Sequence, residues 1–381
     1  MMQVVGLVSG LLLLTFMAFI LITWASASFI SELRIPRSHI PFFRQTESFR
    51  ERCRGDKRCE KHLRDSSKCW GYEGNCSFED SFSYDKIKCE NKNERSIKTF
   101  WEEGDFGKFK SVLSSIQPIC KSTRQDGSSL NCSSHLRFCQ GKNLFINLRH
   151  LKAQNSLRYR NDVIHKGDFG GNCEVFNKNL LESMADEKSY LQSWGHELSF
   201  FTPYKGFKLD RKHCDVIFER PTVLIKLDAA VNMYHHFCDF VNLYATLHVN
   251  GSFDMNINIL WWDTFRNGFI DPFFGITWRA FSKHRSIELI SLDGKRVCFR
   301  SVVLSLLARQ RLGLYYNMPL IKGCSNSGLF EAFSEFVLHR IGIKQNGPLL
   351  DKVRITLLSR STRYRRIINE DEVGYTLEVT V

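Results

Sequence analysis

Thirteen cysteines constrain this chain more than any other feature. Six of them fall between Cys53 and Cys120, at irregular spacings and with no Cys-x-x-Cys pair. Structural zinc sites use short, regular spacings that set four ligands at tetrahedral corners. Disulfides need only an oxidising compartment, and they hold together a stretch that lacks long apolar runs. The pattern therefore favours disulfides over a metal cluster. The odd count leaves at least one thiol free or paired with another chain.

An oxidising compartment fits the start of the chain. The first 31 residues carry no charged side chain, and residues 4–24 form an almost unbroken apolar run, long enough to cross a bilayer. Ala25-Ser26-Ala27 follows, a small-residue pattern that a signal peptidase would cut. Residues 1–27 therefore read as a signal peptide or a membrane anchor, and either delivers the rest to the lumen of the secretory pathway. Asn75-Cys76-Ser77, Asn131-Cys132-Ser133 and Asn250-Gly251-Ser252 are N-glycosylation acceptors, which places candidate glycans on Asn75, Asn131 and Asn250. The net charge is +13. The basic residues are scattered and no nucleic-acid motif accompanies them, so nucleic acid is not the expected partner. An acidic ligand such as a sugar nucleotide, or a solvated basic surface, fits better.

Residues 28–140 read as a Cys-rich N-terminal region. From 141 to 344 the pattern is that of an α/β domain. Strand-like runs at 214–218, 222–227, 257–261 and 302–307 alternate with helix-like segments. Leu329, Phe330, Phe333, Phe336, Val337 and Ile341 make a helical stripe. Gln345-Asn346-Gly347-Pro348 breaks it like a linker, and residues 352–360 begin a new strand.

The segment from Leu227 to Tyr244 carries the most chemistry. A strand ends near Leu227 and a helix begins near Asn232. At 3.6 residues per turn Met233, Phe237, Phe240, Tyr244 and Leu247 form an apolar face. Asn232, His235, Asp239 and Asn242 form a polar one. A histidine and a carboxylate that project together suit general-base catalysis. A solvated face with an i,i+4 His–Asp pair accounts for the same spacing. A second cluster, from Leu358 to Asn369, is dense in arginine and follows a strand. Guanidinium forks there could hold a diphosphate, or the loop could simply be solvated. Glu197 reads as a surface carboxylate in preference to a catalytic one, and Asp263 as either a strand-end ligand or a turn or cap residue. There is no Gly-x-Gly-x-x-Gly, Walker loop or Gly-x-Ser-x-Gly, which removes the basis for an ATPase or serine hydrolase.

Several segments, in order, resemble one family. They include Ser38-His39-Ile40-Pro41-Phe42-Phe43, Cys69-Trp70-Gly71-Tyr72-Glu73, Leu191-Gln192-Ser193-Trp194, His235-His236-Phe237-Cys238-Asp239-Phe240, Lys295-Arg296-Val297-Cys298-Phe299 and Ser359-Arg360-Ser361-Thr362. The family is that of the EGF-domain-specific O-linked N-acetylglucosamine transferases of the endoplasmic reticulum lumen. The resemblance runs from about Ser38 to about Glu372. It implies an α/β glycosyltransferase of two Rossmann-like domains (GT-B-like), the second largely missing here. Residues 141–344 would be the acceptor-side domain and 349–381 the start of a truncated donor-binding domain. The implied reaction is inverting transfer from UDP-N-acetylglucosamine to Ser or Thr of EGF-like repeats in secreted or membrane proteins. On that template Asp239 is the base, with His235 as its partner or as an alternative base. Asn232 orients the acceptor or the sugar, and Arg360 and Arg366 meet the diphosphate.

The chain departs from the family at two places. Relatives carry an Asp-x-Asp stretch near the segment that here reads Phe281-Ser282-Lys283-His284-Arg285-Ser286, so no divalent metal is expected there. Beyond Glu372 the sequence no longer looks like the family, whose members continue into a Gly- and His-rich donor motif and a retrieval signal. The alternative to an enzyme is therefore an inactive truncated form that binds EGF repeats without transfer.

Overall fold

The computed structural model describes residues 29–64, 68–90, 93–152, 163–187, 189–228, 232–263, 274–314, 321–344, 347 and 367–380. The chain divides into a large unit, residues 1–342, and a small one, residues 343–381. The expected leader at 1–27 and the expected strand at 352–360 lie outside the described residues. Arg360 and Arg366 lie outside them too. In the small unit the described residues hold one helix, Glu370–Thr380. No helix of the described residues is long and apolar enough to cross a membrane.

The large unit is mixed α/β. Its strands among the described residues are β1 (Lys88–Cys89), β2 (Gln117–Lys121), β3 (Ser129–Cys132), β4 (Cys139–Asn147), β5 (Phe169–Gly171), β6 (Val175–Phe176), β7 (Phe201–Pro203), β8 (Val216–Phe218), β9 (Thr222–Ile225), β10 (Asn258–Trp261), β11 (Ile287–Glu288), β12 (Arg296–Leu304) and β13 (Cys324–Ser325). Eleven of them form one sheet in the order β11-β10-β9-β12-β4-β3-β2-β6, with β5 pairing β4, β7 pairing β5, and β8 pairing β12. The spine is the long antiparallel pair β12 and β4. On its other edge β12 meets two short parallel strands in succession, β8 along 297–299 and β9 along 302–304. Strands β9, β10 and β11 continue in parallel.

Side-chain alternation explains why these runs are strands. Val223, Ile225, Ile259 and Val303 enter one core, whereas Leu224, Leu260, Val302 and Leu304 enter the other. A period of two with both faces apolar is what a covered parallel sheet needs. The first core is completed by the helices Met233–Val249 and Gly328–Ile341 and by aromatic residues of the N-terminal region, among them Phe43, Phe49, Trp70, Phe106 and Phe109. The position 140/141, expected to separate two regions, falls inside β4, and β2 and β3 from before it share the same sheet.

The expected strand at 302–307 is instead the C-terminal part of β12, which starts earlier and ends at Leu304. The helical stripe at 329–341 is the helix Gly328–Ile341, closed by Gly342 in the left-handed region at φ 79°. The helix Met233–Val249 starts on Asn232, whose side chain caps the N–H groups of Tyr234 and His235.

Twelve cysteines pair among the described residues: Cys53–Cys59, Cys69–Cys76, Cys89–Cys324, Cys120–Cys173, Cys132–Cys139 and Cys214–Cys298. The odd thiol is Cys238, buried in the helix Met233–Val249. Burial, and then the charges of Asp239 and Asp228, push its pKa up to about 12. It is therefore an inert thiol. The Cys69–Cys76 loop closes on Glu73, whose carboxylate accepts the N–H groups of Trp70 and Gly71 at 3.0 and 2.9 Å. Gly71, at φ 132°, lets Trp101 and Phe106 pack against the backbone; a Cβ there would sit 3.1 Å from both.

Candidate active site

The sheet order singles out one place. From β9 the chain runs through the helix Met233–Val249 to β10 and then outward to β11. It returns to the opposite side of β9 as β12. The direction of winding therefore reverses between β9 and β12. In open α/β sheets ligands bind in the crevice beyond the carboxyl ends of the strands at such a reversal. Asp228 follows the end of β9 and Arg309 follows the end of β12.

These two residues meet. Arg309 Nε lies 2.7 Å from Asp228 Oδ1. The other carboxylate oxygen, Oδ2, lies 2.7 Å from His235 Nδ1, in the first turn of the helix. The backbone N–H of Asp228 in turn donates to Asp239, at 3.0 Å to Oδ2. The Asp228 side chain has no exposure, while His235 keeps 24% and Arg309 41%. A buried carboxylate thus anchors two groups that reach the surface. A proton on Nδ1, held by the carboxylate, leaves Nε2 as the basic nitrogen of the ring. The helix N-terminus at Asn232 adds its partial positive charge to the same place.

This geometry changes the expected site. His235 pairs with Asp228 and not with Asp239. The polar face is not solvated: Asp239 is fully buried and Asn242 is 1% exposed. Asn242 Nδ2 donates to Cys238 O at 2.8 Å, and Thr246 Oγ1 accepts the Leu306 N–H at 3.0 Å. From Cys238 to Val249 every residue of the helix is buried, and Met233, assigned to the apolar face, is 48% exposed. The helix is enclosed because the N-terminal region and the loops after β12 cover the side that would otherwise meet water. Asn232 is engaged as a helix cap at 3.1 Å from the Tyr234 N–H.

Glu197 is likewise not a surface group. It is 3% exposed and lies 2.8 Å from Lys226 Nζ. Lys226 is fully buried, donates also to Ser193 O at 2.9 Å, and rests over the rings of Trp194 and Tyr190. Burial lowers the Lys226 pKa and Glu197 opposes the shift. Asp263 sits half-buried just past the carboxyl end of β10, on the same edge of the sheet as Asp228. Of the sequon asparagines, Asn75 is exposed, Asn131 is half-buried in β3, and Asn250 accepts from Gln140 Nε2 at 3.0 Å.

Sequence reasoning passed over Asp228 and Arg309. Asp228 had one local signal, an acidic residue between an apolar strand and a capped helix. Arg309 had none, since only the placement of β12 beside β9 brings it to the site.

No protein-family model matches the chain. Curated relatives do. An EGF domain-specific O-linked N-acetylglucosamine transferase from Mus musculus is 44% identical over 351 residues, which cover 90% of this chain and 66% of the relative. The relative of the same description from Xenopus laevis is 42% identical over 357 residues, 91% of this chain and 67% of the relative. That from Drosophila melanogaster is 44% identical over 323 residues, 82% of this chain and 61% of the relative. The chain belongs to the family of EGF domain-specific O-linked N-acetylglucosamine transferases. It spans about two thirds of the length of these family members, 66% in the mouse case. The family's match covers β9, the helix Met233–Val249 and β12, so the array at the switch point lies within the shared region.

Proposed function

We propose that the chain is a glycosyltransferase that moves N-acetylglucosamine from UDP-N-acetylglucosamine to a Ser or Thr hydroxyl of folded EGF repeats, with inversion at the anomeric carbon. The observation that carries this reading is the Asp228–His235 pair at the carboxyl ends of β9 and β12, in a chain of this family. An inverting transfer needs one base on the acceptor side. His235 Nε2 takes the hydroxyl proton as the hydroxyl oxygen bonds to the anomeric carbon. The bond from that carbon to the diphosphate oxygen breaks, and UDP leaves with its electron pair. Asp228 holds the ring and stabilises the imidazolium that forms, as the carboxylate of a catalytic triad does. Asn232 positions His235 by fixing the start of its helix, and Asp239 positions Asp228 through the backbone N–H. In this reading the base is His235, and Asp239 supports it.

The diphosphate needs positive charge, for which Arg360 and Arg366 remain the candidates, on a second Rossmann-like domain of a GT-B-like enzyme. The proposed acceptors are secreted or membrane proteins with EGF-like repeats, and the proposed location is the endoplasmic reticulum lumen. Six disulfides support an oxidising compartment. Incubating the expressed chain with UDP-N-acetylglucosamine and a folded EGF repeat tests the function. Mass spectrometry should show one added N-acetylhexosamine per acceptor. Binding of the repeat with no added mass would reject transfer and leave a binding protein.

A further inference from the structure

A second place on the same edge of the sheet carries charge that the reaction above does not use. A cleft of about 630 Å³ lies by the ends of β10 and β11, lined by Trp261 and Trp278 and rimmed by the charged side chains of Arg34, Arg279, Lys283 and Arg285. All four cations are exposed. Elsewhere on the surface, arginines lie beside carboxylates, as Arg52, Arg124, Arg149 and Arg300 do. Among the described residues none of the four rim cations has a carboxylate within ion-pair distance, and Glu288 is the one acidic residue in the lining.

The positive charge extends beneath and beside the rim. His284, also in the lining, lies 2.7 Å from Arg220 Nη1. Burial, then Arg220 and Lys283, lower its pKa, which keeps it neutral beside those cations. Under the rim lies Arg340, 1% exposed. It donates to the carbonyls of Ala280 and Leu33, the neighbours of Arg279 and Arg34, at 2.7 and 2.8 Å. Its hydrogen bonds are to carbonyls, and Asp254 acts on its charge only from beyond ion-pair distance. A buried cation under a ring of exposed ones focuses a positive potential into the concavity.

We infer that this cleft binds an oxyanion-bearing ligand, a phosphate or sulfate ester whose ring packs against Trp261. Guanidinium forks match such oxyanions in pairs, and three of the four rim cations are arginines. The Trp261 and Trp278 rings are tilted 56° to each other, and Trp261, the less buried of the two, suits a ring on the same ligand. The inference uses no group at Asp228; because the transferase reading itself requires UDP to bind, the rim variants and not UDP binding alone decide it.

Two ligands carry the chemistry, a nucleoside diphosphate and a sulfated sugar. Calorimetry on the whole chain with UDP and with N-acetylglucosamine 6-sulfate separates them, with uncharged N-acetylglucosamine as the blank. At least one of the charged ligands should bind, with affinity that falls as salt rises. The Arg279→Gln/Arg285→Gln variant should weaken that binding at least tenfold at an unchanged melting temperature. Arg34→Gln, on a separate segment, should weaken it as well. Arg124→Gln, far along the chain and already paired with Asp126, should leave it unaltered. If neither charged ligand binds, or if the rim variants bind like the parent chain, the inference is overturned.

Discussion

Asp228 concentrates the chemistry of the site in one side chain. Its two oxygens hold a guanidinium and an imidazole, and its backbone N–H holds Asp239. Replacing it by Asn keeps the shape but offers an amide where a carboxylate fixed the ring tautomer. Transfer by Asp228→Asn should fall on the order of 10³–10⁴-fold, with unaltered acceptor binding. A smaller loss confined to KM would instead mark a binding role. Lys226 and Glu197 show a different use of buried charge. Removing one partner leaves the other ionised and dry, so Glu197→Gln should lower stability in urea by about 3–5 kcal/mol. Replacing both by apolar residues of similar volume should recover most of that loss. His248 contributes to the fold's pH response, against Asp105, whose pKa burial raises and which favours the folded state as pH falls. His248 sits among aromatic rings, with Tyr72 OH 3.2 Å from Nδ1, and burial holds its pKa well below 6.5. The folded ring is neutral, whereas the unfolded chain binds a proton below about pH 6.5. The unfolded state therefore gains protons as pH falls, and stability falls with it, by about 1.4 kcal/mol per pH unit for each such histidine. His39, lowered to about 4 chiefly by burial and then by Lys86 and His339, adds to the slope down to that pH. Urea midpoints at pH 7 and pH 5 should differ accordingly; equal midpoints would mean that these rings charge without opening the core.

At the scale of elements, the helix Met233–Val249 shows what a sequence can and cannot reveal. Its start was legible because Asn232 is a helix-capping residue beside an aromatic run. Its amphipathic reading failed at Asp239 and Asn242, because period alone assigns polar residues to water. Tertiary cover from the N-terminal region reverses that assignment, and these side chains bond to nearby backbone, Asp239 to the Asp228 N–H and Asn242 to Cys238 O, while Leu314 O, a second acceptor for Asn242, comes from a distant loop. The strands were found where apolar runs were short and bounded, at β9 and β10. Their register, and hence the meeting of Asp228 with Arg309, depends on long-range pairing that no local pattern encodes. The Asn232 cap is worth about 1 kcal/mol. Because it sets the first turn, Asn232→Ala should also lower kcat more than that loss of stability explains. The pair β1 and β13 hangs on Cys89–Cys324, which spans 235 residues of sequence. Chain entropy over such a loop amounts to about 5 kcal/mol, so Cys89→Ser/Cys324→Ser should unfold at markedly lower urea concentration.

For the whole molecule, the mixed α/β class was legible in the alternation of apolar runs, but the reversal of strand order was not. That reversal gives the large unit its crevice and places a buried carboxylate, a half-exposed histidine and an arginine at its mouth. Family membership says which reaction to look for, and the topology says which residues to ask. The most direct measurement compares transfer to a folded EGF repeat by His235→Ala and by Asp239→Asn, each checked for an unchanged fold. With His235 as the base, His235→Ala should lose on the order of 10²–10⁴-fold in kcat, and Asp239→Asn, whose amide oxygen still accepts the Asp228 N–H, should keep most of it. Full activity in His235→Ala together with a dead Asp239→Asn would contradict the account and return the base to Asp239.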